Sequence, residues 1–488
     1  MARTATARLA PVALAAVLAC SGDAGGPPSG GARIDYVDGA LEPLLVPGEP
    51  VVVEGFSFGI APGTVRFTRA GGGEIDATVT PEDWGDHSVT VVVPDDAASG
   101  PVALRTAGGS GVTAAVRVLP AAAFDPGGLA WRPRSQFPGP PVGVALAVAE
   151  FAATSGATAT LYAAGGAEPV GPSLVPDSGI FVARVTADGT PSAWARQHDD
   201  PDPVRHRNLP APRAFAATAI ATRHNSRFAG TALYVIGGID ASGRPQASVF
   251  TADATADSVV GRFVSIEPLP APVAGAIAVV RRGRIYVMGG VDPLGRPGRR
   301  VFVGRIGADG HIDGWYAQPE LPAPRAYGGG VVLDRRVVVF GGVEDSVPLG
   351  GGLDATPSRL VTSDTAPISL ASGFFRGAWT PGTALLSVGR SQFATLPLGN
   401  VVLAVGGMYA GAAADAAETL AAGVTGDVVA PFAVVATTAT ATIHGQGGGT
   451  VVGAAGAAWR GPDGRYHGLV LGGMDLQTRQ RTAKGWGF

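Results

Sequence analysis

Residues 284–292 read RIYVMGGVD, an apolar run that stops abruptly at Gly289-Gly290 and an acidic residue. The same text recurs as LYAAGG, LYVIGG, VVVFGG, VLAVGG and LVLGG. These runs end in Gly165-Gly166, Gly237-Gly238, Gly341-Gly342, Gly406-Gly407 and Gly472-Gly473. Successive first glycines lie 72, 52, 52, 65 and 66 residues apart. A period near fifty with loop insertions belongs to a propeller array in which each repeat is one small sheet. The runs are apolar at every position instead of alternating, as in strands covered on both faces by stacked sheets. Glycine allows close backbone approach and left-handed angles. The spacing therefore predicts six crowded strands that end where a side chain would collide.

A second series keeps the same phase. Trp194, Phe263, Trp315, Trp379 and Phe432 follow the first glycines at 29, 26, 26, 38 and 26 residues. Between units stand LPAPRAF (209–215), LPAPVAG (269–275) and LPAPRAY (321–327). Strand, double glycine, strand, aromatic strand and Pro-Arg turn together resemble the kelch repeat, over roughly residues 126–488. The resemblance implies an all-β fold with a six-bladed propeller. The fifth and sixth units depart from the pattern, lacking the Pro-Arg turn, and the family's tyrosine before the aromatic is missing. Fifteen residues follow the last double glycine, too few for two more strands. Upstream, GLAWRPRSQFPGPP carries Trp131 with no double glycine before it. The N-terminal segment is thus expected to supply the last strand of the sixth blade, leaving no sheet edge open around the ring.

Residues 31–119 read differently. ARIDYV, PVVVEGFSFG, TVRFT, HSVTVVVP and PVALRT are short Val-, Thr- and Phe-rich runs separated by turn residues, the pattern of a β-sandwich. Gly48, Gly55, Phe58, Gly59, Trp84, Pro94 and Gly100 make the unit resemble the immunoglobulin-like IPT/TIG family. That resemblance implies either a binding module or a spacer. Residues 120–125 read as a linker.

The N-terminus carries no fold signal. MARTATAR supplies Arg3 and Arg8, and LAPVALAAVLA is an apolar run shorter than the about 20 residues that cross a bilayer. Residues 1–19 have the shape of a secretory signal. They end at Cys20, the one cysteine of the chain, in a Val-Leu-Ala-Cys sequence that resembles the lipobox of bacterial lipoproteins. The resemblance implies cleavage before Cys20, lipidation of its thiol, and membrane anchoring, with Ser21 favouring the outer membrane. Residues 20–30, with SGDAGGPPSG after the cysteine, read as a flexible tether.

Composition removes some functions. Net charge is -3 and lysine occurs once, at Lys484, so no basic stripe for nucleic acid is present. No Gly-x-Ser-x-Gly, HExxH, Walker or CxxC motif appears. HDDPDPVRHR (198–207) offers oxygen ligands, yet its spacing fits no EF-hand and it reads as a solvated insertion. No metal or cofactor is expected. Kelch propellers include galactose oxidase relatives, whose copper site needs a cysteine crosslinked to tyrosine, and Cys20 cannot supply it. Sialic-acid mutarotases are a further kelch family and remain an alternative with no motif to assign their residues. An outer-membrane barrel, suggested by the terminal Phe488, lacks the alternating strands it needs. The favoured function is binding, adhesion or scaffolding, with a glycan or protein ligand on the propeller loops. Loop charges are the candidate ligand contacts: Arg213, Arg325, Arg390, Asp240, Asp292 and Glu344. Guanidinium groups offer several fixed donors to carboxylates or sugar hydroxyls.

Overall fold

The computed structural model describes residues 31–37, 44–45, 47–48, 50–118, 123–150, 159–197, 207–222, 231–255, 260–347, 359–409, 419–435 and 451–488, apart from a few single positions and residues 462–464 and 476–477. Cys20, the tether, the insertion at 198–206 and half of the 120–125 linker lie outside them.

Every described strand is short, and the two helical turns are single 3-10 turns. Residues 33–118 form two sheets. One pairs Arg33–Val37, Pro50–Phe56 and Ser88–Val92; the other has five strands, with Ala97–Thr106 and Gly109–Val118 at its centre. Val53, Val65, Phe67, Val89 and Leu104 fill one core between them. Alternate residues of Pro50–Phe56 face that core, so burial here follows the two-residue period.

The remainder is a ring of six sheets. The first strands of the sheets are Ala145–Glu150, Ala217–Thr222, Ile277–Arg281, Gly329–Val332, Ala394–Leu398 and Ala455–Arg460. Each adjoins the next, and the sixth adjoins the first. We call the sheets blades 1 to 6. Blade 3 is representative, with Ile277–Arg281, Arg284–Met288, Val301–Ile306 and Ile312–Ala317 paired antiparallel in chain order. In blade 6 the fourth strand is Arg132–Arg134, which pairs with Gly485–Gly487. Pro133 sits on this outer strand, where a missing N–H costs no ladder bond.

The second strand of each blade is buried almost throughout, as in Ala159–Ala164 and Val401–Val405. Blades then lock to one another through polar tips of aromatics that are buried or, for Trp315, half-buried. Trp315, Trp379 and Trp131 each donate their indole N–H to the preceding blade, to Glu267 O, Pro319 O and Thr419 Oγ1, at 3.0, 2.9 and 2.9 Å. Tyr162 and Tyr286 donate forward, to Thr255 O and Gly373 O, at 3.0 and 2.6 Å. A buried Tyr or Trp needs such a partner. Phe488 packs on Trp131 with ring centroids 5.1 Å apart, so the two ends of the ring meet in one cluster.

Candidate functional site

The double glycines end their strands on one face of the ring, here called the loop face. In all six, the first glycine has φ between 62° and 71° and the second between 83° and 98°. The second glycine donates its N–H to a carbonyl of the next blade. Gly166 bonds Arg213 O, Gly238 bonds Val273 O, Gly290 bonds Arg325 O, Gly342 bonds Arg390 O, Gly407 bonds Val451 O and Gly473 bonds Pro141 O, all at 2.7–2.8 Å. A Cβ on the first glycine would run into that same carbonyl oxygen. The colliding group is therefore the neighbouring blade's backbone, and the contact closes around the ring.

This lock explains the arginines differently from the ligand contacts read from sequence. Arg213, Arg325 and Arg390 supply three of the six carbonyls, and their side chains are buried. The Arg325 guanidinium donates to Gly341 O and to Asp364 Oδ2 at 2.9 Å, with both side chains shielded from solvent. Burial pulls its pKa below the ordinary value, and Asp364 opposes that shift. Arg390 donates to Gly406 O at 2.8 Å. Arg213 donates to Pro212 O and Ser248 Oγ and lies over the Phe250 ring at 4.9 Å. The three do not converge on an open pocket. Each holds one blade to a carbonyl or side chain at the root of a loop.

The acidic candidates are also engaged. Asp240 accepts from Ser242 N at 2.8 Å, Arg244 N at 3.1 Å and Gln246 Nε2 at 2.7 Å. Asp292 accepts from Leu294 N at 2.8 Å, Arg296 N at 3.0 Å and Arg296 Nε at 2.9 Å. Partial burial opposes ionisation of both, but these hydrogen bonds outweigh it and hold both carboxyls below their usual pKa. Both are Asx turns that stiffen equivalent loops of blades 2 and 3. Glu344 is exposed. Among the described residues no group of three or more His, Cys, Asp or Glu could hold a metal.

At the centre of the loop face lies a feature the sequence reading missed. Gly143, Phe215, Gly275, Tyr327, Gln392 and Gly453, one at the start of each blade, all have left-handed backbones, with φ of 61°, 52°, 60°, 56°, 55° and 67°. Each donates its N–H to the carbonyl of the one before: Phe215 to Gly143, Gly275 to Phe215, Tyr327 to Gly275, Gln392 to Tyr327, Gly453 to Gln392 and Gly143 to Gly453, at 2.8–3.1 Å. Six hydrogen bonds thus form a closed circle. Of four described non-glycine residues with positive φ, three stand in this circle. Such angles are unfavourable for residues with a Cβ and persist where surroundings impose them. A signal existed: Phe215, Gly275 and Tyr327 occupy one position of the LPAP text, and a site that takes either glycine or an aromatic suggests a left-handed turn.

Side chains seal the circle. Phe215 and Tyr327 meet edge to face at 5.7 Å across Gly275. Over them folds the hairpin Ala167–Val170 and Ser173–Pro176, whose Leu174 packs against the clusters around the circle. Arg481 ties the hairpin down through Glu168 at 3.3 Å. The tips of the loops are different: Leu294, Val170 and Val175 are 70%, 57% and 50% exposed.

Behind the seal runs a channel of about 1060 Å³ along the first strands. Its walls are mostly Ala, Gly and Val, with Thr218 and Thr395 adding hydroxyls, while Glu150, Arg281 and Arg460 stand towards the far end. Tyr327 lines this channel, and burial raises its phenol pKa above the ordinary value. Pro47, Gly48 and Asp95 of the N-terminal sheets border the same channel at its other mouth.

No protein-family model matches the chain. Beta-scruin of Limulus polyphemus is 27% identical over 156 residues, 32% of this chain and 16% of that protein. Alpha-scruin of the same organism is 26% identical over 125 residues, 24% of this chain and 13% of that protein. The chain therefore spans only a small part of the length of these curated relatives. The solved structure of YjhT superposes with a TM-score of 0.47 at 12% identity, covering 72% of this chain and 95% of that one. The ring of repeated sheets is a β-propeller.

Proposed function

We propose that the chain is a secreted, lipid-anchored binding protein that engages a macromolecular partner, a protein before a glycan, through the loop face of its propeller. The observation that carries this reading is the pairing of a sealed centre with apolar tips. Leu294, Val170 and Val175 project from loops stiffened by hydrogen bonds, while Phe215, Tyr327 and Leu174 pack together over the centre. Rigid, exposed apolar groups lose little entropy on docking and suit a protein surface. Arg325 and Arg390, read from sequence as ligand contacts, are bonded within the ring. On this reading residues 31–119 are an immunoglobulin-like IPT/TIG unit and Cys20 carries the lipid.

The test uses the full chain with Cys20→Ser, probed on arrays of surface proteins and of glycans. Binding to a protein that Leu294→Asp with Val175→Asp abolishes, at unchanged melting temperature, supports the proposal. Binding that survives both substitutions overturns the loop-face assignment. Turnover of free sialic acids by the same sample would favour the enzyme reading. Palmitate labelling that persists in Cys20→Ser would remove the lipid anchor.

A further inference from the structure

Pro47, Gly48 and Asp95 of the N-terminal unit border the channel at the mouth opposite the loop face. The single turn Pro81–Asp83 of the N-terminal sheets inserts between two arginines of blade 4. Asp83 accepts from Arg335 Nη1 at 3.0 Å and lies 3.7 Å from Arg376 Nη2; its carboxylate is shielded from solvent. Glu82 accepts from Arg376 Nη1. Both sides of this contact are held from behind. Trp84, next to the turn, is buried and donates to Gly59 O at 2.9 Å, fixing the turn to its own core. Arg335 N donates to Asp427 Oδ1 at 2.6 Å, and Arg376 N donates to Pro367 O at 2.9 Å, fixing both arginines on blades 4 and 5. The contact is thus preorganised on rigid elements, and few side chains need ordering when it forms.

From this geometry we infer that the N-terminal unit is a reversible cap over the channel mouth, latched by Glu82 and Asp83 on Arg335 and Arg376. Two features make it a latch. Shape alone does not separate the parts, because Pro47, Gly48 and Asp95 only border the opening. The ion pairs, by contrast, reach solvent through Glu82 and through Arg335 and Arg376, whose side chains are 24% and 34% exposed, while Asp83 is shielded. Such pairs are weakened by salt, and their groups regain water on separation. The arginine pair is therefore a carboxylate receptor occupied by the chain's own acidic turn. Because the cap takes the mouth opposite the loop face, it leaves the loops free.

The experiment places a thiol reporter in the channel wall, Thr218→Cys, in the full chain with Cys20→Ser, and measures its rate of reaction with a maleimide. Adding Glu82→Gln and Asp83→Asn should raise that rate by about tenfold and enlarge the radius of gyration in small-angle scattering. Raising salt from about 0.05 to about 1 M should speed the parent reporter but not the latch variant. Arg376→Glu should behave like the latch variant, and Glu82→Arg added to it should restore slow reaction, which separates unlatching from misfolding. A reporter rate equal in parent and latch variants, or insensitive to the charge swap, overturns the proposal.

Discussion

The two faces of the propeller close by different physics. On the loop face the seal is backbone: six N–H groups donate around a circle, reinforced by six double-glycine locks. On the opposite face the cover is side chain: two carboxylates on two arginines across a boundary between units. A backbone circle cannot open at one blade without straining its neighbours. Solvated ion pairs can be released one at a time. The first therefore suits a permanent platform and the second a reversible contact.

The largest expected effect tests the permanent side. Arg325→Ala leaves Asp364 buried without its cation and should cost about 3–5 kcal/mol in denaturant unfolding. Arg335→Ala, on the opposite face, should cost less, since Arg376 Nη2 still lies 3.7 Å from the Asp83 carboxylate. Equal losses would erase the contrast between the faces. Next comes ring closure. Trp131→Ala should cost about 3–5 kcal/mol, as much as Trp379→Ala, because each is buried and donates to the preceding blade. A Trp131 variant that melts like the parent would make Arg132–Arg134 dispensable to blade 6.

Much of this organisation was legible because it follows local rules. RIYVMGG announces a strand buried on both faces that ends against a neighbour, and repetition of that text announces the ring. The fate of the arginines was not legible. Arg in LPAPRAF reads as a loop charge, since sequence does not reveal that Gly166, in the preceding unit, takes that residue's carbonyl. Nor does it reveal that Asp364, 39 residues beyond Arg325, meets its guanidinium. The circle was hidden for a related reason. Its chemistry is backbone, so Gly, Phe, Tyr and Gln all serve, and no residue type marks it. The latch joins residues 294 apart in sequence and has no periodic signature.

Smaller effects sharpen the picture of the circle. Gly275→Ala should destabilise by about 1–2 kcal/mol from the left-handed backbone alone, and further because its Cβ would overlap the Tyr327 ring. Gln392→Gly relieves the same kind of strain and should be near neutral in thermal unfolding. If both changes cost alike, the circle is not strained. The smallest effect belongs to Asp292. Its folded pKa is depressed, so its contribution is complete above the ordinary carboxylate range and is lost as pH falls through the lower folded value. Asp292→Asn should flatten the acid limb of the stability profile slightly and leave neutral pH almost unchanged.

Native-state hydrogen exchange tests the central claim most directly, by comparing amides of the circle with amides of the turns on the opposite face. The circle predicts that Phe215, Tyr327 and Gln392 N–H exchange only when the whole propeller unfolds, with the free energy of global unfolding. The Gly426 turn beside the capped mouth should exchange by local opening, faster in the Glu82→Gln, Asp83→Asn variant. Circle amides that exchange as readily as those turns, while the propeller stays folded, would contradict a loop face sealed by its backbone.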